Sequence, residues 1–355
     1  MGTPGLQVSP FEPPGARLRP VAFGDLPGYA QDDHLAAFEV FRLSARSIAQ
    51  GAPELRNALP APEALRAVCQ LALQQTIGCA AEARGFFETH FIPCRIETGE
   101  DPPAFFTGYY EPVVSGSLVR TEDFTEPVFA RPADLEQHSP YPARAEIEAL
   151  GLARFQPLVW LADAIEVFMI QVQGSAAVDL RDGRRIRLTY AGRNGQPYSS
   201  IGRALIEAGQ IAPDDMSLAR LKQWVRDSGQ ALGQPGRALL HRNRSYIFFS
   251  MDESPARAQG PIGGAGVPLT PLRSVAVDRG LWPYGLPVFV DAVLPGADGG
   301  LSPFQRLMIG QDTGSAILGP ARLDLFMGSG DEAGAVAGNI RHRAGLYILL
   351  PRAEC

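Results

Sequence analysis

Long apolar runs, paired cysteines and stretches of one charge are all scarce in this chain of 355 residues. No apolar stretch approaches the roughly 18 residues that a membrane-spanning helix requires, so none is expected. The opening MGTPGLQVSPFEPPGARLRP has no charged segment followed by an apolar one, and as it stands it does not read as a signal peptide. Thr76-Ile77-Gly78-Cys79 looks locally like a lipoprotein cleavage site, but it lies deep in the chain, inside a helical pattern. The four cysteines, Cys69, Cys79, Cys94 and Cys355, form no C-x-x-C pair, and the five histidines are scattered. That argues against a structural zinc site, and no metal or cofactor is expected. A disulfide among Cys69, Cys79 and Cys94 and free buried thiols both remain open. Two cysteines ten apart on one straight helix would sit about 15 Å from each other, too far to bridge. Net charge is −6, with no lysine or arginine run, which argues against nucleic acid as a partner. A local basic groove for an anionic polymer stays open, and Arg322, Arg341 and Arg343 would suit one.

What is present is ordinary globular composition, with 45% apolar and 20% charged residues, enough for one large or two medium domains. After a lead-in rich in proline and glycine, Leu35, Phe38, Phe41 and Ile48 recur at helical spacing behind Asp32 and Asp33. A second helix is expected from Pro62 to near His90. From Phe105 the pattern changes to short β-type runs, at Phe105–Tyr110, Glu166–Gln173, Ala177–Leu180, Ile186–Tyr190 and Tyr246–Phe249. The Asp182-Gly183 pair predicts a hairpin, because it tolerates positive φ. Helices are expected at Ser199–Ala208 and from Ser217, an N-cap. Beyond GPIGGAGVPLTP, which is no nucleotide loop, runs resume at Ser274–Val277, Val288–Ala292, Arg306–Gln311, Leu323–Phe326 and Leu346–Leu350. Short strands at close spacing suggest a closed or partly closed barrel rather than a doubly wound sheet.

Candidate chemistry concentrates between residues 306 and 345. In Leu323-Asp324-Leu325 the carboxylate faces away from its apolar neighbours if the segment is a strand. A carboxyl beside an apolar wall has a raised pKa, as a general acid near neutral pH needs. A solvent-facing Asp on a half-buried strand fits the same pattern. Asp312-Thr313-Gly314-Ser315 also matches the loop of pepsin-like proteases, whose two aspartates share a proton. The only formal second site, Asp227-Ser228-Gly229, reads as the end of a helix capped by glycine. No G-x-S-x-G or H-E-x-x-H occurs.

The stretch SVAVDRGLWPYGLPVFV, followed by MIGQDTGSAILGPARLDLFMGSGDEAGAVAGNIRHRAGLYIL, closely resembles the three-aspartate (3D) domain of the MltA family of lytic murein transglycosylases. FFTGYYEPVVSGS, YPARAEIEAL, FMIQVQGSAAVDLRDG, LTYAGRNGQPYSSIGRALIEAG and NRSYIFF resemble further blocks of that family in the same order, over roughly residues 60–352. The resemblance implies a mainly β protein with flanking helices: a large domain containing a double-psi β-barrel, and a smaller inserted β-rich domain, with a groove between them. The large domain would comprise 1–111 and 250–355, and the insertion 112–249.

The implied activity is cleavage of the β-1,4 bond between N-acetylmuramic acid and N-acetylglucosamine without water, leaving 1,6-anhydro ends. By position in the motif, Asp324 matches the catalytic acid and base and Asp312 its acidic partner. Asp278 is the third aspartate, at the substrate site with a more structural expectation. Thr107, Tyr109, Tyr110, Gln173 and Ser175 match sugar-binding positions, with rings to stack and polar tips for hydroxyls; barrel packing is the alternative for each tyrosine. No cofactor is implied. The implied partners are a peptidoglycan strand and cell-wall synthesis proteins; the chain is expected to be a monomer in the periplasm, with an outer-membrane anchor in the precursor. The family's lipid-anchor cysteine has no counterpart at the start of this sequence. A non-catalytic peptidoglycan-binding protein is the alternative function, since fold alone does not fix activity, and an aspartic protease is a distant third.

Overall fold

The structure, a computed structural model, describes residues 13–99, 104–252, 260–296 and 300–352. The chain divides into two compact units. One comprises Met1–Tyr109, Ile262–Gly328 and Asn339–Cys355; the other comprises Tyr110–Pro261 and Ser329–Gly338.

The first unit opens with β1 (Arg17–Pro20), α1 (His34–Gln50), α2 (Glu63–Gln74), α3 (Ala80–His90), β2 (Phe91–Glu97) and β3 (Ala104–Glu111). The second then supplies β4 (Val113–Ser117), β5 (Glu126–Phe129), α4 (Arg144–Leu150), β6 (Pro157–Leu161) and α5 (Ala164–Gln173). It continues with β7 (Ser175–Leu180), β8 (Arg185–Arg193), α6 (Ile201–Glu207), α7 (Leu218–Asp227), α8 (Pro235–His241) and β9 (Ile247–Asp252). The chain returns to the first unit for β10 (Ser274–Ala276), β11 (Pro287–Pro295), β12 (Leu301–Asp312) and β13 (Arg322–Ser329). After α9 (Asp331–Gly338) it ends in β14 (Arg341–Pro351).

Helix α1 starts where expected. The Asp33 carboxylate accepts from the Ala36 N–H at 3.1 Å, and Gly51 stops the helix in the left-handed region at φ 60°. Its buried Phe38 and Phe41 pack on Phe86, Phe87 and Phe91 with centroids 5.0–6.3 Å apart. The single helix expected between Pro62 and His90 is two. Gln75 turns to extended backbone after α2, and Cys79, also extended, precedes α3. The β-branched Thr76-Ile77 and the following Gly78 are poor helix formers, so the break falls there. Cys69, Cys79 and Cys94 are free thiols. Burial pushes Cys69 up to about 12 and Cys94 up to about 11, which leaves both as inert core groups. Cys355 lies outside the described residues.

The barrel expected from the strand pattern is closed. The order β1-β2-β14-β11-β12-β10-β13-β3 turns back on itself, because β14 also pairs with β3. Six strands, β14, β11, β12, β10, β13 and β3, therefore form a ring, with β1 and β2 as an extension. Most pairings are antiparallel; β10 and β12 run parallel. The closed ring leaves none of the six as a free edge.

The second unit carries a six-stranded sheet, ordered β5-β6-β4-β7-β8-β9. Its β7–β8 hairpin turns at Asp182-Gly183, with Gly183 at φ 84°, as the dipeptide predicted. Glu166–Gln173, expected to be a strand, is part of helix α5. The Asp163 carboxylate caps it by accepting from the Glu166 N–H at 3.0 Å, and Gly174 ends it at φ 82°. The segment is buried on nearly every face, with Val167 and Ile170 against the sheet and Ile165, Phe168 and Met169 against α6, α7 and α8. An apolar run with no polar stripe has no period to distinguish helix from strand. Ser217 caps α7 as expected, accepting from the Arg220 N–H at 3.2 Å. Beneath α4 lies a buried ionic cluster. Glu148 meets Arg144 at 3.4 Å, Arg237 at 2.9 Å and His241 at 2.8 Å.

Candidate active site

Strand register brings the two aspartates of the C-terminal motif to one level of the barrel. Ala276 on β10 pairs with Asp312 of β12 on one side and with Asp324 of β13 on the other. One strand separates them, so their Cα atoms are on the order of 10 Å apart. The pairing of β10 with β12 skips Gln311, passing from Val275–Gly310 to Ala276–Asp312. This is a bulge, and it re-aims the residue that follows it. Gln311 is fully buried. It accepts from the Ser274 hydroxyl at 2.6 Å and donates to the Ser44 hydroxyl at 2.8 Å and the Val40 carbonyl at 3.2 Å.

Each carboxyl has its own donors. Asp312 accepts from the Tyr109 hydroxyl at 2.9 Å and from the Gly264 N–H at 2.8 Å. Asp324 accepts on Oδ1 from the Thr107 hydroxyl at 2.5 Å. Thr107 and Tyr109 alternate on β3, and so share a face. The Tyr109 ring rests on Phe326 at 5.3 Å, which leaves its hydroxyl the reach to Asp312. Burial raises the Asp324 pKa to about 6. The Thr107 hydrogen bond and the Arg322 charge oppose the rise, and the Asp312 charge adds to it. Tyr109 is pushed well above its ordinary value by burial, then by Asp312, so it stays a protonated donor. A carboxyl near 6 with one oxygen held by a neutral donor can give and take a proton near neutral pH. The separate donor sets do not resemble the shared-proton pair of an aspartic protease, and Asp227 ends helix α7 rather than entering a loop from a strand.

The remaining expected positions divide between the units. Asp278 spends both oxygens on backbone: Oδ1 accepts from the Gly280 N–H at 2.9 Å and Oδ2 from the Gly319 N–H at 2.7 Å. It clasps the loop after β10 to the loop before β13, beside the Trp282 indole bond to the Pro320 carbonyl at 3.1 Å. The three arginines suggested for a basic groove do gather. The Arg322 and Arg343 guanidiniums lie 5.0 and 5.9 Å from the Phe105 ring, and Arg341 pairs in register with Thr107. In the second unit, Tyr110 is buried with its ring over Gly334, where any Cβ would collide with it. The Gln173 carboxamide accepts from the Tyr110 N–H at 3.1 Å, and Ser175 is buried at the start of β7. Among the described residues, no three His, Cys, Asp or Glu side chains gather as a metal would require.

Residues 105–250 match the family model of the MltA specific insert domain, and residues 273–350 match that of the 3D domain. The crystal structure of membrane-bound lytic murein transglycosylase from Agrobacterium tumefaciens superposes with a TM-score of 0.81 at 35% identity. That match covers 94% of this chain and 98% of the other. The chain belongs to the MltA family. Membrane-bound lytic murein transglycosylase A of Escherichia coli (strain K12) is 34% identical over 248 residues, 69% of this chain and 65% of that protein. The match thus spans just under two thirds of that relative's length. Escherichia coli MltA with bound chitohexaose superposes with a TM-score of 0.69 at 27% identity, covering 97% of this chain and 95% of that one.

Several contributors to this candidate site carry little signal in the sequence. The glycine-rich patch supplies Gly264, whose N–H holds Asp312; a Cβ there would fall on the Tyr284 hydroxyl. Tyr284 in turn donates to the Arg56 carbonyl at 3.0 Å, and Arg56 donates to the Thr313 carbonyl at 2.5 Å. The run of glycines was the available clue, since close backbone approach is one reason for glycine. Nothing in the sequence marked the Gln311 bulge.

Proposed function

We propose that this chain is a lytic transglycosylase that cleaves the β-1,4 bond between N-acetylmuramic acid and N-acetylglucosamine in peptidoglycan. Asp324 gives its proton to the glycosidic oxygen as the bond from that oxygen to muramyl C1 breaks. The resulting carboxylate takes the proton of the muramyl C6 hydroxyl, whose oxygen bonds to C1 and closes a 1,6-anhydro ring. No water is consumed, and Asp324 ends protonated as it began. One carboxyl therefore serves both halves. The observation that carries this reading is the raised pKa of Asp324, about 6, in a site where Asp312 has its own donors. With that value roughly a tenth of the molecules hold the acid form at pH 7, ready without a second carboxyl to supply the proton.

Within the barrel unit, Asp312, Tyr109 and Thr107 would fix the sugar against Asp324; in the second unit, taken by itself, Tyr110, Gln173 and Ser175 would offer sugar contacts. Asp278 would act as a loop clasp at the rim. The chitohexaose on the Escherichia coli relative supports an extended sugar chain as the ligand class. The names of the relatives, membrane-bound lytic murein transglycosylases, support work at the cell envelope, and we place that work in the periplasm. No helix among the described residues is long and apolar enough to cross a membrane. The test is digestion of purified sacculi followed by mass spectrometry of the muropeptides. Anhydro-muramyl ends that disappear with Asp324→Asn are expected. Reducing muramyl ends, or binding without cleavage by both proteins, would overturn the proposal.

A further inference from the structure

The Arg322 guanidinium is held on several sides at once. It donates through Nη1 to the Leu323 carbonyl and to the Phe105 carbonyl at 3.5 Å, and it lies 5.0 Å from the Phe105 ring. Its Nη2 donates to the Thr107 hydroxyl oxygen at 2.8 Å, and that hydroxyl meets Asp324 Oδ1 at 2.5 Å. Arginine is a donor only, so the Thr107 oxygen must accept from it. The single hydroxyl hydrogen is then left for Oδ1. A proton on Oδ1 would force Thr107 to accept twice and turn its own hydrogen away, and no other hydrogen bond from this hydroxyl is present among the described residues. Leaving a donor unpaired at a half-buried site is costly.

We propose that Arg322 is the positioning residue of the acid: acting through Thr107, it commits Oδ1 to accepting and so keeps the transferable proton of Asp324 on Oδ2. This rests on Asp324 being the proton donor. It makes the Arg322–Thr107 pair a switch on the face from which the proton leaves. It also gives Arg322 a role separate from binding an anionic polymer. The charged and titratable groups facing Asp324 are Arg322, Asp312 and Tyr109, and Arg343 shares the Phe105 ring with Arg322. Removal of Arg322 takes away a cation and frees the hydroxyl rotor. Both changes disfavour the carboxylate, so the titration midpoint rises.

The test is a carbon-13 NMR titration of the Asp324 carboxyl in the substrate-free protein. It is run on wild type, Arg322→Met, Thr107→Val and the double variant, alongside initial rates of anhydro-end formation. Each single variant should raise the midpoint by about one pH unit and lower kcat at least tenfold, a larger effect than any change in KM. In the Thr107→Val background the further change on losing Arg322 should shrink to its charge effect alone. Thr107→Ser, which keeps the hydroxyl, should restore both midpoint and rate, separating the relay from a folding defect. A midpoint unmoved by Arg322→Met, or an Arg322 effect undiminished without the Thr107 hydroxyl, would overturn the relay. The midpoint is read without substrate. A wild type that makes no anhydro product would therefore sink the transglycosylase reading while leaving the relay judged on its own data.

Discussion

Two enclosed carboxyls, one in each unit, answer the same desolvation with opposite shifts. Burial pushes Glu148 up, but His241, Arg144 and Arg237 together outweigh it, and its pKa lies below the ordinary carboxylate range. Burial pushes Asp324 up as well. There the opposing groups are one hydroxyl and one arginine, Asp312 works against them, and the pKa settles at about 6. Burial alone does not mark an acid for catalysis. The count and placement of counter-charges decide whether a buried carboxyl is locked as an anion or left able to carry a proton. Arg144 shows the cost of the locked arrangement. It is almost completely enclosed, with the Asn243 and Ser245 carbonyls at 3.2 and 2.8 Å and the rings of Phe168 and Tyr246 at 4.7 and 5.1 Å.

The sharpest way to break this contrast is to neutralise each carboxyl in turn. Asp324→Asn should lower the rate of glycan cleavage by about 10³-fold, within the range for loss of a general acid. The far-ultraviolet circular dichroism spectrum should be unchanged. Glu148→Ala should leave the chemistry in place but cost about 3 kcal/mol of stability, because it strands Arg144 without its carboxylate. Urea unfolding reads that loss. A third measurement uses the signs. Glu148, with its lowered pKa, contributes stability above the unfolded carboxyl value, and that contribution is lost as pH falls through the folded one. Asp324, with its raised pKa, contributes stability below pH 4 that is lost as pH rises through about 6. Asp324→Asn should therefore be more stable than wild type at pH 8, by roughly 2 kcal/mol, and equal to it at pH 4. Equal stability at both would remove the premise of a buried acid. The smallest effect is a calibration: Ser217→Ala should cost about 1 kcal/mol through loss of the α7 cap, and equally at pH 4 and pH 8.

The contrast also explains what the sequence disclosed. Local signals were legible wherever a short-range rule governs: the Asp33 and Ser217 caps, the Asp182-Gly183 hairpin, and most barrel strands. They failed where burial erases the pattern, as in α5, whose apolar residues face both the sheet and the neighbouring helices. They failed again at Gln75–Cys79, where an apolar spacing carried the helix across a weak joint. Within the site, Asp312 and Asp324 were visible as polar residues among apolar ones. Their common register on Ala276, the bulge at Gln311 and the reach of Thr107 and Tyr109 from some two hundred residues upstream are long-range facts. Periodicity does not report those. Asp278 came forward only through the family resemblance, and its two backbone partners set it apart as a clasp.

The proposed reaction uses no water, and one measurement addresses that directly. Sacculi digested by the wild-type protein in water enriched in oxygen-18 are resolved by mass spectrometry. The expected result is anhydro-muramyl ends with no oxygen-18 at C1. Reducing muramyl ends carrying oxygen-18 would show that water attacks, and would contradict Asp324 acting as acid and then base toward the sugar's own C6 hydroxyl.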